Sequence, residues 1–312
     1  MRIGIVVDSA CDLPDTWLRD HNVVLLPITV RIGDAVIADH RNEEATLQFL
    51  GSHVAERGAE AETTPFTVAQ VRELFLDKLV VDYDYVFCLT ITRTRSPIHD
   101  NTERASFAIL NDYKPIRSAA GHDSPFALRV IDTGNVFAGQ AVPAVDAVRL
   151  RDAGEGPAAM RARIESVVQN THAYMVPRDL NYLRARTRHR GDRSVSFLSA
   201  TLGTALDIKP ILHCNRGETG PVGKVKGFEN AARLLFDKVA ARVREGLAAP
   251  TVCVSYGGEL AGLHALPGYE SLLQVCAQHG VATHESVMSL TGMVNVGKGS
   301  LVVAFAGKPL AF

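Results

Sequence analysis

Short apolar runs alternate with amphipathic stretches in the first half of the chain. The apolar runs Arg2–Val7, Val23–Val30, Tyr85–Ile91 and Leu128–Asp132 have the length and β-branched content of buried strands. Helical periodicity lies between them, and Thr67 and Gln70 have the spacing of a capping box at the start of one helix. Strands that alternate with helices predict an α/β fold with a mainly parallel sheet and helices on both of its faces.

The second half repeats the mixture of strands and helices. Asn215–Gly220 separates two strand-like runs and predicts a hairpin, and an arginine-rich helix is followed by a second predicted helix, Ser194–Leu206. The Gly-rich segment Asp152–Pro157 marks a boundary between domains. We therefore predict two α/β domains, residues 1–157 and 158–312, with a ligand site between them.

Composition and charge narrow the class of protein. The formal net charge of -1 argues against a nucleic-acid partner, whose binding proteins are usually basic. The five cysteines are scattered without CxxC spacing, which favours buried thiols in a reducing cytoplasm. The first residues turn polar too early for a signal peptide, and no apolar run is long enough for a transmembrane segment. A cytoplasmic globular protein is the expectation.

Polar groups gather where three predicted strands end. Asp8-Ser9, Thr90–Ser96 and Asp132-Thr133 follow apolar runs, and ligands of open parallel sheets bind at this edge. Ser96-Pro97 has the pattern of an N-cap followed by the first helical position, and a helix N-terminus attracts anions. The hydroxyl groups of Thr63, Thr92 and Ser96 would complete an anion site. The alternative is that Ser96 serves as a helix cap only.

Several motifs, in order along the chain, resemble those of the DegV family of bacterial fatty-acid-binding proteins. "VDSACDLP" (Val7–Pro14) is similar to the family's VDSTADLP, "TTPFT" (Thr63–Thr67) stands in the place of TSQPS, and "TRTRSP" (Thr92–Pro97) in the place of SSxLSG. Further matches are "VIDT" (Val130–Thr133), "IKPIL" (Ile208–Leu212), "GKVKG" (Gly223–Gly227) and "GKGSLVVAF" (Gly297–Phe305).

The resemblance implies a long-chain fatty acid held between the domains, with its carboxylate bound by hydroxyl groups. By position, these are Thr63 or Thr64 and Ser96. The chain departs from the family pattern at Pro65, at Pro97-Ile98, and at Asn295 and Lys298, which stand where the family has a histidine and a proline. Lys298 would place a cation near the carboxylate. The family also includes the lipid-binding subunit of a fatty-acid kinase, so the resemblance implies such a kinase as the partner. The chain itself is not expected to be an enzyme.

Other features leave alternatives open. Arg184 and Arg188 share a helix face within the arginine-rich helix, which indicates either a solvated surface or a docking surface for an acidic partner. Ser96 after a strand also fits a hydrolase nucleophile that acts on a lipid or small ester, but Arg95 and Pro97 replace the glycines of a nucleophile elbow. His99 and Asp100 do not form a metal motif, and no phosphate-loop or dinucleotide fingerprint predicts a cofactor.

Overall fold

A computed structural model describes residues 1–52, 58, 60–190 and 207–312. The predicted helix Ser194–Leu206 lies outside these residues. The first half contributes seven strands: β1 Ile3–Asp8, β2 Val23–Leu26, β3 Ile28–Ile32, β4 Ala35–Asp39, β5 Glu62–Pro65, β6 Tyr85–Thr90 and β7 Ala127–Asp132. Four of them form a sheet in the order β2-β1-β6-β7, and every neighbouring pair is parallel. The predicted parallel sheet is confirmed.

A second, three-stranded sheet in this half was not predicted. The apolar run Val23–Val30 is two strands rather than one, because Pro27 interrupts it. Proline has no N–H to donate to a sheet, and β3 leaves the parallel sheet to pair with β4 and β5 in antiparallel fashion. The Ser9 hydroxyl accepts a hydrogen bond from the N–H of Ile28 at 2.9 Å, just beyond this break. Thr63 and Thr64 therefore lie in a strand of a small sheet.

The second half forms a six-stranded mixed sheet. Its strands are β8 Thr171–Val176, β9 Ile208–Asn215, β10 Glu218–Lys226, β11 Thr251–Tyr256, β12 Ala282–Val287 and β13 Leu301–Ala306. They lie in the order β10-β9-β8-β13-β11-β12, and only β11 and β12 are parallel neighbours. The predicted hairpin is confirmed as β9 and β10. Arg216 and Gly217 form its tip with φ of 51° and 81°, the left-handed conformation that a two-residue hairpin requires.

The predicted capping box of Thr67 and Gln70 is present at the start of a helix. Thirteen α-helices of the described residues cover the sheets. They are α1 Asp15–Asp20, α2 Glu43–Leu50, α3 Val68–Leu74, α4 Val80–Asp82, α5 Ile98–Ala108, α6 Tyr113–Ala119, α7 Ala138–Asp152, α8 Pro157–Gln169, α9 Leu180–Arg190, α10 Phe228–Glu245, α11 Leu260–His264, α12 Tyr269–Gln278 and α13 Leu290–Val296. A π-helical turn joins α3 to α4. In the described part of the chain, no helix is both long and apolar enough to cross a bilayer.

Helix α7 lies between the parallel sheet and the mixed sheet. It packs on β1 and β6 on one side and on β8, β11 and β13 on the other. Most of its residues are buried, and many are alanine, because a helix between two layers has no solvent face. A Cβ at Gly139 would lie 2.2 Å from Asn135 Oδ1 and 2.9 Å from the Ala173 Cβ, so glycine allows this close approach. The division at residue 157 stays a prediction.

Candidate functional site

A cavity of about 160 Å³ lies where the small sheet, the loops after β6 and β7, and the mixed sheet meet. Most of its wall is apolar. The first half contributes Ile28, Pro65, Ile91, Val136 and Phe137, and the mixed sheet contributes Ala173, Met175, Leu212, Cys214 and Val302. Burial raises the pKa of the Cys214 thiol, which keeps it neutral as part of this wall. A cavity with such a lining suits an apolar guest better than water.

Phe137 shows how the loop between β7 and α7 is fitted to this cavity. Its φ is 55°, an uncommon value for a bulky side chain. It precedes the first turn of α7 and is held by surrounding contacts in the core. The backbone conformation brings both Val136 and Phe137 to the cavity wall. Strained residues of this kind often occur at ligand sites.

Polar side chains from several elements also line the cavity. They are Thr63, Arg95, Ser96, Arg186, Thr187, His213, Thr219, Thr291 and Asn295. Three of the residues predicted from the sequence are therefore brought together: Thr63, Ser96 and Asn295.

Ser96 lies just before the first turn of α5. The helix begins at Ile98 and its N-cap is Pro97, one residue later than the Ser-Pro pattern predicts. Ser96 Oγ still accepts a hydrogen bond from the N–H of Ile98 at 3.3 Å. A hydroxyl that accepts through its oxygen keeps its hydrogen for donation, so Ser96 can donate to a ligand in the cavity.

The two threonines of β5 face opposite sides of the strand. Thr63 and Pro65 line the cavity, whereas Thr64 is exposed, because side chains alternate along a strand. The sequence left Thr63 and Thr64 as alternatives, and the structure places Thr63 at the cavity.

Thr92 and Lys298 do not line the cavity. Thr92 is fully buried, and its hydroxyl lies 3.3 Å from that of Thr94. Ile91 is the residue of this strand end that reaches the cavity wall. Lys298 is exposed and borders a separate groove of about 900 Å³ with Arg178, Tyr182 and others. Asn295 and Lys298 thus line different pockets, and a role of Lys298 beside the carboxylate stays a prediction.

Arg186 is a charged cavity residue that sequence reasoning did not single out. It belongs to the arginine-rich helix, but its side chain is only 2% exposed. Its Nε and Nη2 atoms donate to Asn295 Oδ1 at 3.1 and 3.0 Å. The signal was present in the spacing, since Leu183 lies three residues before Arg186 and both are buried on the inner side of α9.

The hydrogen bonds around His99 bear on the hydrolase alternative. His99 is 4% exposed, and its Nδ1 lies 2.9 Å from Thr90 Oγ1. Burial lowers the pKa of this imidazole. Among the described residues, Ser96 makes no hydrogen bond to a histidine, so the paired nucleophile and base of a hydrolase are not assembled there.

His99, Asp100 and Glu103 come close enough to surround a cation. Arg93 already occupies the carboxylates, since its Nη2 lies 2.9 Å from Asp100 and 3.7 Å from Glu103. The cluster is thus satisfied by an ion-pair network on the surface of α5.

The chain is similar to known proteins over nearly its whole length. A model of the family described as "Uncharacterised protein, DegV family" matches residues 2–308. A DegV domain-containing protein of Xanthomonas axonopodis pv. citri is 66% identical over 312 residues, which are 100% of this chain and 99% of that protein. The chain belongs to the DegV family. The resemblance inferred from the sequence motifs is confirmed.

Solved structures of DegV proteins share the fold. A DegV lipid-binding protein of Thermotoga maritima superposes with a TM-score of 0.76 at 22% identity, over 98% of each chain. A stearic acid-binding protein of Eubacterium ventriosum gives a TM-score of 0.73 at 21% identity, over 97% of this chain and 98% of the other. The two α/β units predicted for this chain are therefore a DegV-type arrangement.

Proposed function

We propose that this DegV-family protein binds one long-chain fatty acid in the cavity between its sheets. The observation that carries the proposal is an apolar cavity whose wall also contains the hydroxyl groups of Thr63 and Ser96. Solved relatives named for lipid or stearic acid binding have the same fold. The tail lies against the apolar wall, and the carboxylate accepts hydrogen bonds from these hydroxyl groups.

Burial of the tail provides most of the affinity. Each buried methylene contributes about 0.8 kcal/mol, so a long acyl chain contributes on the order of 10 kcal/mol before the costs of association. The hydroxyl groups add less free energy and determine which end of the ligand faces them. The protein changes no bond in its ligand, and it carries an insoluble acid in a form that an enzyme can take.

Presentation of the acid to a fatty-acid kinase is the further part of the proposal. Helix α9 supports it, because the same helix contributes Arg186 to the cavity and carries Arg188 exposed on its outer side. Arg184 is half-buried on the same face as Arg188. A basic outer face next to the ligand would increase the rate of encounter with an acidic partner. The buried free thiols agree with a cytoplasmic protein.

Calorimetry on delipidated protein tests the binding function. Saturated acids of increasing length should bind with an affinity that rises about fourfold per methylene until the cavity is filled, which follows from about 0.8 kcal/mol per methylene. Short acids should bind weakly because they bury little apolar area. If long-chain acids give no binding, or if affinity does not depend on length, the fatty-acid proposal is wrong.

A further inference from the structure

Arg186 is a buried cation in the cavity wall that is held in a fixed orientation. Its Nε and Nη2 atoms both donate to Asn295 Oδ1, and its Nη1 atom donates to the backbone carbonyl of Ala61. The Asn295 Nδ2 atom in turn donates to the carbonyl of Thr291 at 2.7 Å, which turns the amide oxygen toward the guanidinium group. The arginine is therefore braced by α13 and by the segment that leads into β5.

This bracing has an electrostatic consequence. A guanidinium group does not lose its proton in proteins, so burial at 2% exposure retains a full positive charge at the cavity wall. The oxygen atoms of Asn295 and Ala61 that it contacts are neutral acceptors, and they orient this charge. Inside a cavity, a fixed charge acts more strongly on a ligand than it would in water. Thr63, two residues after Ala61, lines the same cavity.

We propose that Arg186, oriented by Asn295, determines ligand specificity by favouring a carboxylate over an uncharged head group on the same acyl chain. This inference rests on the proposed fatty-acid function and adds to it the basis of discrimination. Hydroxyl groups alone donate to an ester carbonyl as well as to a carboxylate. A cation distinguishes a charged oxygen from a neutral one more strongly than a hydroxyl donor does.

A purely structural role for Arg186 is the competing interpretation. Its hydrogen bonds also join α9 to α13 and to the start of β5, so its removal could loosen the wall. A looser wall weakens all ligands of one chain length together. The ratio of affinity for an acid to affinity for its methyl ester therefore separates specificity from structure.

The experiment measures palmitate and methyl palmitate by displacement of an uncharged fluorescent lipid from delipidated protein. Wild type should prefer the acid, and Arg186→Gln should lower palmitate affinity ten- to a hundredfold while methyl palmitate changes less than threefold. Arg186→Lys, which keeps the charge, should retain part of the preference. Arg104→Gln, an exposed arginine on α5, is the matched control and should retain all of it.

Asn295→Ala keeps the arginine but removes its brace, so the acid-to-ester ratio should fall in this variant too. It also serves as the test if Arg186→Gln does not fold, which melting of each variant will show. The specificity role of Arg186 would be overturned if acid and ester lose affinity equally, or if the acid-to-ester affinity ratio is unchanged in both variants. Binding of palmitate by wild type would still support the proposed function in that case. Failure of wild type to bind palmitate would overturn both.

Discussion

The hydroxyl group of Ser96 has two partners available at the start of α5. Its oxygen accepts from the N–H of Ile98, and its hydrogen is free to donate into the cavity. The two roles differ in what they stabilise, since the first lowers the free energy of the folded protein and the second that of the complex. They can be measured separately in one variant.

Ser96→Ala should weaken binding of a long-chain acid roughly ten- to a hundredfold, because one hydrogen bond to a charged group contributes about 1.5–3 kcal/mol. The lost contact with Ile98 should also reduce the free energy of unfolding by up to about 1 kcal/mol. Calorimetry and denaturant unfolding measure the two effects. A loss of stability with unchanged affinity would mean that Ser96 serves only the helix.

Thr63 and Thr64 offer a matched pair of substitutions. Thr63→Val removes a hydroxyl group from the cavity wall with little change of shape and should lower affinity for the acid about tenfold. Thr64→Val makes the same change on the exposed side of β5 and should leave affinity unchanged. Equal effects in the two variants, measured by calorimetry, would show that Thr63 does not face the ligand.

Helix α9 has different surroundings on its two sides. Leu183 and Arg186 face the cavity, whereas Arg188 faces outward. Reversal of Arg184 and Arg188 to Glu should leave fatty-acid binding within about threefold and weaken the affinity of a fatty-acid kinase for the loaded protein. The weakening should shrink at high salt, where exposed charges are screened.

Surface plasmon resonance with the candidate kinase measures this effect, with Arg233→Glu on α10 as the control. Arg233 is 68% exposed and lies on a different helix. The outer side of α9 would be ordinary solvated surface if reversal of Arg184 and Arg188 leaves the kinase affinity unchanged. The same conclusion would follow if the control variant loses as much affinity.

The elements differ in how well their sequence predicts them. The strands β1 and β6 are buried on both faces and have continuous apolar sequences, so the pattern alone predicts them. Pro27 divides a continuous apolar run into β2 and β3, which belong to different sheets. The local sequence does not show which strands β3 pairs with. Arg186 was hidden because a buried arginine and an exposed one look alike within a charged stretch, and only the contact with Asn295, far along the chain, distinguishes them.

At the scale of the whole molecule, a partly buried histidine pair links stability to pH. His172 Nδ1 lies 2.9 Å from His213 Nε2 on neighbouring strands β8 and β9, and Tyr174 stacks on His213. Burial, with the charge of His213 as a smaller cause, lowers the pKa of His172 to about 4, and burial also lowers that of His213. Both rings are neutral in the folded protein at neutral pH.

Because the folded-state pKa of His172 lies below the ordinary value of 6.5, the unfolded chain binds more protons between pH 6.5 and 4. The free energy of unfolding should fall as the pH falls through this window, by up to about 1.4 kcal/mol per pH unit for this group.

Urea unfolding at several pH values should show that the free energy of unfolding depends less steeply on pH for His172→Phe than for wild type. Asp8, whose pKa burial raises to about 6, acts in the opposite direction, so the difference between the two proteins is the quantity to compare. Identical dependences would exclude His172 as a cause.

Whether the cavity holds a fatty acid is tested most directly by native mass spectrometry of the protein as purified, followed by organic extraction of the bound species. Wild type should carry one long-chain fatty acid per chain. Met175→Trp, which places an indole ring in the cavity wall, should carry none, whereas Val36→Trp on the exposed face of β4 should carry the same acid as wild type. Two results would contradict fatty-acid binding in this cavity. One is wild type that stays empty even after incubation with long-chain acids, and the other is a Met175→Trp variant that remains fully loaded.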